Sequence, residues 1–159
     1  MEPSGESRRN GIELGIRYQV MRNLFLSTDL SYTIARSVDS PENENYIPLA
    51  PDFIATGNLV YKSGSGFRAG LQSRYIKDRP ANEDNSIVAL GYFLFNSNLG
   101  YDIGNLSFGI QLENILNTSW NESQFATTSR LMNEDRPVEE LHFTPGNPRN
   151  VRGSIQYRF

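Results

Sequence analysis

The chain has no cysteine and a single histidine, His142. That removes a disulfide framework, thiolate metal sites, a thiol nucleophile and any site needing two histidines. Lysine is almost absent: Lys62 and Lys77 stand against 13 arginines, and the formal net charge is -3 with an isoelectric point near 5.2. The arginines are scattered rather than striped along one face, so no nucleic-acid partner is expected. No apolar run reaches the ~18 residues of a membrane-spanning helix. Met1 to Asn10 is polar and lacks the apolar core of a signal peptide. There is no G-x-S-x-G, no phosphate loop and no base placed for a serine, so no catalytic residue, cofactor or bound metal is expected.

What is present fits a soluble domain poorly. Mean hydropathy is -0.49 over 159 residues, as one soluble domain would have. Apolar residues are only 38% of the chain while aromatics reach 11%, and the usual apolar share is about 45–50%. Periodicity supplies the reason. Ile12, Leu14, Ile16, Tyr18 and Val20 alternate with Gly11, Glu13, Gly15, Arg17 and Gln19, one greasy face and one polar face of a strand. After a break at Met21 to Asn23 the alternation resumes from Leu24 to Ala35, predicting a long hairpin.

Five more strands follow on the same pattern: Phe53 to Tyr61, Phe67 to Tyr75, roughly Ile87 to Asp102, Leu106 to Leu112, and Val151 to Phe159. Helix is disfavoured because glycine, asparagine, aromatic and β-branched residues crowd segments whose apolar positions recur at two. Only Thr118 to Glu140 is ambiguous and admits a short helix or a hairpin. Several strands alternate for ten residues or more, against a mean of about 5–6 in soluble proteins. Connections alternate too, with tight turns at Met21 to Asn23, Lys62 to Gly66 and Ile103 to Asn105. Between them come long polar loops at Ser37 to Asp52, Ile76 to Ser86 and Thr118 to Pro148. Short turns on one rim and long loops on the other describe an all-β, antiparallel, up-and-down transmembrane barrel. Tyr18, Tyr61 and Tyr101 then sit at the turn ends, where an aromatic girdle meets the interface.

Seven is an odd strand count, and an open edge in lipid leaves backbone groups unsatisfied. The expectation is therefore a segment of a larger barrel, residues 7–159, with residues 1–6 a start or loop remnant. Counting an eighth strand inside Thr118 to Glu140 gives a small closed barrel instead. A porin-like passive channel and a soluble β-sandwich binding module also remain open, as does, more remotely, a lipid hydrolase or protease on a barrel rim.

Three segments are similar to one family. Leu112 to Trp120 (LENILNTSW) resembles the penultimate-strand signature of the TonB-dependent outer-membrane receptors, an apolar residue, any residue, Asn-Leu-Phe-Asp, two residues and Tyr. Asn114 matches, while Ile115, Leu116, Asn117 and Trp120 depart conservatively. His142 to Phe159 resembles the family's Pro-Gly-x-Pro-Arg lead into a last strand ending aromatic-x-Phe, and Ser7 to Gly11 resembles the opening of an earlier strand. The resemblance implies the last third of a barrel of about 22 strands that imports a ferric siderophore or other metal chelate. Its further implied partners are an N-terminal plug and the remaining strands, TonB reached through the N-terminal region, and outer-membrane lipid.

Candidate site residues follow. Tyr157 and Phe159 form a terminal aromatic signal for the barrel assembly machinery, read by strand pairing, or are simply girdle residues. Arg17, Asp29, Arg68, Gln72 and Arg74, with Arg152 and Arg158, fall on the polar phase and face either lumen or ligand. Their plainer reading is a set of wetted residues paired with one another. Trp120 reads as an interfacial anchor, with ligand contact at the outer rim as the alternative. The acidic runs Asp39 to Asn45 and Asn133 to Glu140 lack Ca²⁺-loop spacing and read as solvated loop charge, and His142 reads as structural.

Overall fold

The computed structural model describes residues 5–159. They are all β, without a helix among the described residues. Seven strands form one antiparallel sheet: β1 (Ser7–Met21), β2 (Leu24–Ser37), β3 (Phe53–Lys62), β4 (Phe67–Ile76), β7 (Tyr92–Ile103), β8 (Leu106–Glu113) and β11 (Asn150–Tyr157). Their order in space, β1-β2-β3-β4-β7-β8-β11, is their order along the chain. The sheet does not close, because β1 and β11 are its two unpaired edges. Proline is absent from all seven strands, as a residue without an N–H must be from a continuous ladder.

Cross-strand register fixes the faces. Leu14 lies opposite Leu30, Leu26 opposite Leu59, Leu59 opposite Leu71, and Leu99 opposite Ile110. Paired residues in an antiparallel ladder project to the same side, so these residues make one continuous apolar surface. It is solvent-facing in the chain, with Ile12 and Ile155 each 74% exposed. An apolar face this large on a soluble protein would drive association. In lipid it is the correct outer surface.

Aromatic residues bound that surface at both ends. Eight positions separate Phe53 from Tyr61, Phe67 from Tyr75 and Phe93 from Tyr101, about 26 Å of strand at roughly 3.3 Å per residue. At the loop end, Phe53 and Tyr75 rings are 6.0 Å apart and Tyr75 and Phe93 6.4 Å. At the turn end, Tyr61 and Phe67 rings are 6.2 Å apart and Phe67 lies opposite Tyr101. The tyrosines expected at the turn end are thus half of a two-belt arrangement.

Two boundaries differ from the sequence reading, and one ambiguous segment is resolved. The fifth long strand begins at Tyr92 rather than Ile87, because β6 (Val88–Ala89) leaves the sheet to pair with β5 (Arg79–Pro80). The bend falls at Gly91, where any Cβ would collide with the backbone of Ile76 to Asp78. The ambiguous segment Thr118 to Glu140 contributes a hairpin, β9 (Asn121–Ser129) with β10 (Val138–Pro145), in a sheet of its own. It therefore adds no eighth strand to the main sheet. The last strand stops at Tyr157, so Phe159 lies beyond it, although the Arg158 N–H still donates to the Asn105 carbonyl at 2.9 Å. Of the expected remnant at residues 1–6, residues 1–4 lie outside the described residues.

Candidate functional site

The polar face carries the strand residues that the sequence singles out. Arg17, Asp29, Arg68, Gln72, Arg74 and Arg152 all fall on it by register, and Arg158 follows in the same phase. They do not converge on one point. Arg17 Nη2 donates to both carboxylate oxygens of Asp29 at 2.8 and 3.0 Å, and Nη1 donates to the Thr28 carbonyl. Arg68 Nη1 donates to Asp102 Oδ2 at 2.6 Å across β4 and β7. Arg152 lies 3.6 Å from Glu113. Each pair is a cross-strand neutralisation in a wet setting, of the kind worth about 0–1 kcal/mol.

One band of the face is uncharged. Gln72, Asn96, Asn98 and Gln111 line a shallow depression, with Gln72 directly opposite Asn96. Arg74 differs from its neighbours: among the described residues it has no acidic partner, and its guanidinium lies 5.8 Å from the Tyr92 ring centre. Tyr92 is buried with Ile76 and Leu94, and Ile54 and Trp120 pack against them. The polar face thus turns apolar at its loop end.

Trp120 belongs to that cluster rather than to the lipid-facing belts. Its ring centre is 4.9 Å from that of Tyr92, and Nε1 donates to the Asn147 carbonyl at 3.0 Å. Gly146 passes so close to the indole that any side chain there would strike it. The interfacial-anchor expectation is corrected by this placement, since Tyr92 points to the polar side.

The signature segment after β8 has a local mechanism. Asn114 and Asn117 both take left-handed backbone angles, φ 49° and 53°, which asparagine tolerates better than most residues. The buried Asn114 amide donates to the Thr118 and Asn147 carbonyls and accepts from the Thr118 N–H. Asn117 Oδ1 accepts from the Arg149 N–H at 3.1 Å. Together they tie the end of β8 to the segment that launches β11.

Buried amides organise the long loops in the same way. Gln124, on β9, accepts from the Leu90 N–H and donates to the Leu90 carbonyl. Asn82 accepts from the Ile87 N–H and donates to Ser86 and to Glu139 on β10. The first loop joins through Tyr46 N–H to the Glu83 carbonyl and Leu49 N–H to the Pro80 carbonyl. Gln124 and Asn82 carry no sequence signal, since nothing in their spacing announces a partner.

Members of the acidic runs accept backbone hydrogen bonds: Asp39 from the Glu6 N–H, Glu134 from the Leu131 N–H. Among the described residues no group of three His, Asp or Glu could hold a metal ion. Hydrogen bonds from the Ser86 N–H and hydroxyl hold the Asp84 carboxyl below its ordinary value of 3.8. His142 stacks on Phe125, rings 5.8 Å apart, and its Nε2 is 3.3 Å from Ser129 Oγ. Tyr157 and Phe159 meet edge to face at 5.0 Å, exposed at the turn end.

The family model described as TonB dependent receptor-like, beta-barrel, matches residues 2–115. The chain belongs to the TonB-dependent receptor family. It is 28% identical over 104 residues to a ferrioxamine receptor from Yersinia enterocolitica, covering 64% of the chain and 15% of that receptor. The ferric-catecholate import receptor Fiu of E. coli shares the fold at a TM-score of 0.75 and 19% identity, over 98% of the chain and 21% of that structure. The siderophore receptor PiuA of Acinetobacter baumannii gives 0.73 and 14%, over 96% and 22%. The chain spans about a fifth of the length of these receptors. The open sheet is accordingly a TonB-dependent barrel fold in segment form, and neither the soluble sandwich nor the small closed barrel describes it.

Proposed function

We propose that this chain forms the closing part, residues 7–159, of an outer-membrane TonB-dependent receptor that imports a ferric siderophore or a related metal chelate. The observation that carries the reading is the two-faced sheet. Its apolar surface is bounded by aromatic belts and its polar surface carries three cross-strand ion pairs, in a chain of this family. In that setting the apolar face meets outer-membrane lipid. The polar face meets the plug and the passage, and the free edges of β1 and β11 pair with the remaining strands, which satisfies their backbone groups. Energy arrives from TonB through the N-terminal region, and the chain has no enzymatic role. Tyr157 and Phe159 act as the signal for the barrel assembly machinery. The choice of an iron chelate rests on the named activities of the ferrioxamine and ferric-catecholate receptors.

The test is radioiron uptake by an iron-starved strain that has the full-length receptor as its sole chelate importer, with and without TonB. Uptake of a ferric chelate that disappears when TonB is removed supports the proposal. Uptake that persists without TonB would make the protein a passive channel, and absence of uptake for every ferric chelate would remove the iron assignment.

A further inference from the structure

At the loop end of β1 and β2 the apolar face runs into charge. Along β2 the apolar-side positions are Leu30, Tyr32, Ile34 and then Arg36, and along β1 they are Ile12, Asn10 and then Arg8. Tyr32 lies opposite Phe53 of the loop-end belt, and Arg36 lies directly opposite Arg8. The two arginines therefore project to the lipid side, about 7 Å of strand beyond the Ile34–Asn10 pair. Tyr46, in the loop after β2, bridges to Arg36 and joins them on that side.

Like charges facing each other across a ladder are destabilising. Among the described residues neither arginine has a carboxylate within 4.0 Å, whereas Lys77, two positions beyond Tyr75, lies 3.6 Å from Asp52. Of the neighbouring acids, Asp39 accepts the Glu6 N–H at 2.7 Å, and Glu6 forms no ion pair with either arginine. Arg36 is nonetheless held in place. Its Nη1 donates to the Ala35 carbonyl at 2.7 Å and its guanidinium lies 4.3 Å from the Tyr46 ring centre, which leaves Nε and Nη2 to donate elsewhere. A phosphate between the two guanidinium groups turns one repulsion into two attractions and accepts hydrogen bonds from both.

We propose that Arg8 and Arg36, with Tyr46, form a site for the phosphate of an anionic outer-leaflet lipid whose acyl chains lie along Ile12, Tyr32 and Ile34. Long loops mark the outer rim of such a barrel, so the pair stands just outside the outer belt, at the level of head groups, where basic side chains meet anionic lipid. The inference rests on the outer-membrane placement above and is independent of the imported ligand.

The experiment titrates the purified full-length receptor, in neutral detergent, with diphosphorylated lipid A, dephosphorylated lipid A and inorganic phosphate, and reads bound lipid by native mass spectrometry. Wild type is compared with the double variant Arg8→Gln/Arg36→Gln, with Arg8→Lys/Arg36→Lys, and with Arg22→Gln in the first short turn at the opposite rim. Heat-modifiable migration reports assembly. The double glutamine variant is expected to bind diphosphorylated lipid A roughly tenfold more weakly, the scale of one hydrogen bond to a charged group. The lysine variant falls between, Arg22→Gln matches wild type, and dephosphorylated lipid A does not distinguish the variants. Equal binding of diphosphorylated lipid A by wild type and the double glutamine variant overturns the proposal. Displacement of that lipid by inorganic phosphate at equal concentration also overturns it, by making the site one for a free anion. Without lipid, Arg8→Gln is expected to melt at the wild-type temperature or above, because a like-charge opposition is gone. A lower melting temperature means that Arg8 is paired within the barrel, and the proposal fails. A receptor that imports no ferric chelate but shows the Arg8 and Arg36 dependence refutes the import reading alone.

Discussion

The side-chain amide of Gln124 makes two hydrogen bonds to the backbone of Leu90, accepting from the N–H at 2.9 Å and donating to the carbonyl at 2.7 Å. Gln124 is 2% exposed, so water does not replace these bonds. They pin the β9–β10 hairpin to the chain just before β7 begins.

Gln124→Leu should therefore remove the partners of the Leu90 N–H and carbonyl, at about 1–3 kcal/mol for each group that water does not reach. The hairpin, rather than the barrel, is expected to loosen. Limited proteolysis of the assembled receptor checks this: new cleavage between Asn121 and Pro145 with unchanged heat-modifiable migration is the expected outcome, and an unaltered digest would contradict it.

Asn114 combines a left-handed backbone with a buried amide that bonds Thr118 and Asn147. Asn114→Ala loses the bonds and adds about 1–2 kcal/mol of backbone strain. Asn114→Gly loses the bonds but not the angle. Denaturant unfolding in detergent should rank them wild type, glycine, alanine, and alanine at or above glycine would argue that the angle is unimportant.

Leu71 and Gln72 are sequence neighbours on opposite faces of β4, the first aligned with Leu59 and the second with Asn58. Leu71 lies midway between the belts at Phe67 and Tyr75. Leu71→Arg should cost about 2–4 kcal/mol near the bilayer midplane, whereas Gln72→Arg, entering a wet face, should cost far less. Folding titrations into lipid vesicles measure the difference, and equal costs would refute the assignment of faces.

Phe159 lies beyond the last paired strand residue, fully exposed, with its ring against Tyr157. Deleting it removes no ladder bond, so the stability of an assembled barrel should be unchanged. The amount of assembled full-length receptor in the outer membrane should fall if the terminal aromatics are the assembly signal. Normal assembly would leave Phe159 as a girdle residue only.

Much of the fold is legible in the residues because a strand between lipid and water obeys a period of two with little freedom. The polar-face candidates within strands, from Arg17 to Arg152, sit in the phase that alternation predicts. The short turns are legible for the same reason, since register leaves few residues to close them. The bend at Gly91 is not, because Ile87 to Asp102 alternates without interruption and only the close backbone of Ile76 to Asp78 forces the break. Trp120 is misplaced by sequence because an aromatic near a rim fits either an interface or a cluster, and its contact with Tyr92 decides between them.

The sequence by itself determined the seven long strands but for their ends, their faces and the family signature around Asn114, since each rests on local alternation or on a few adjacent residues. Tertiary structure alone decided which carboxylates face Arg17, Arg68 and Arg152, and how the loops are fastened. Arg68 and Asp102 are 34 positions apart, as are Leu90 and Gln124, while Asn82 and Glu139 are 57 apart. Only strand register and loop packing bring such residues within hydrogen-bond reach.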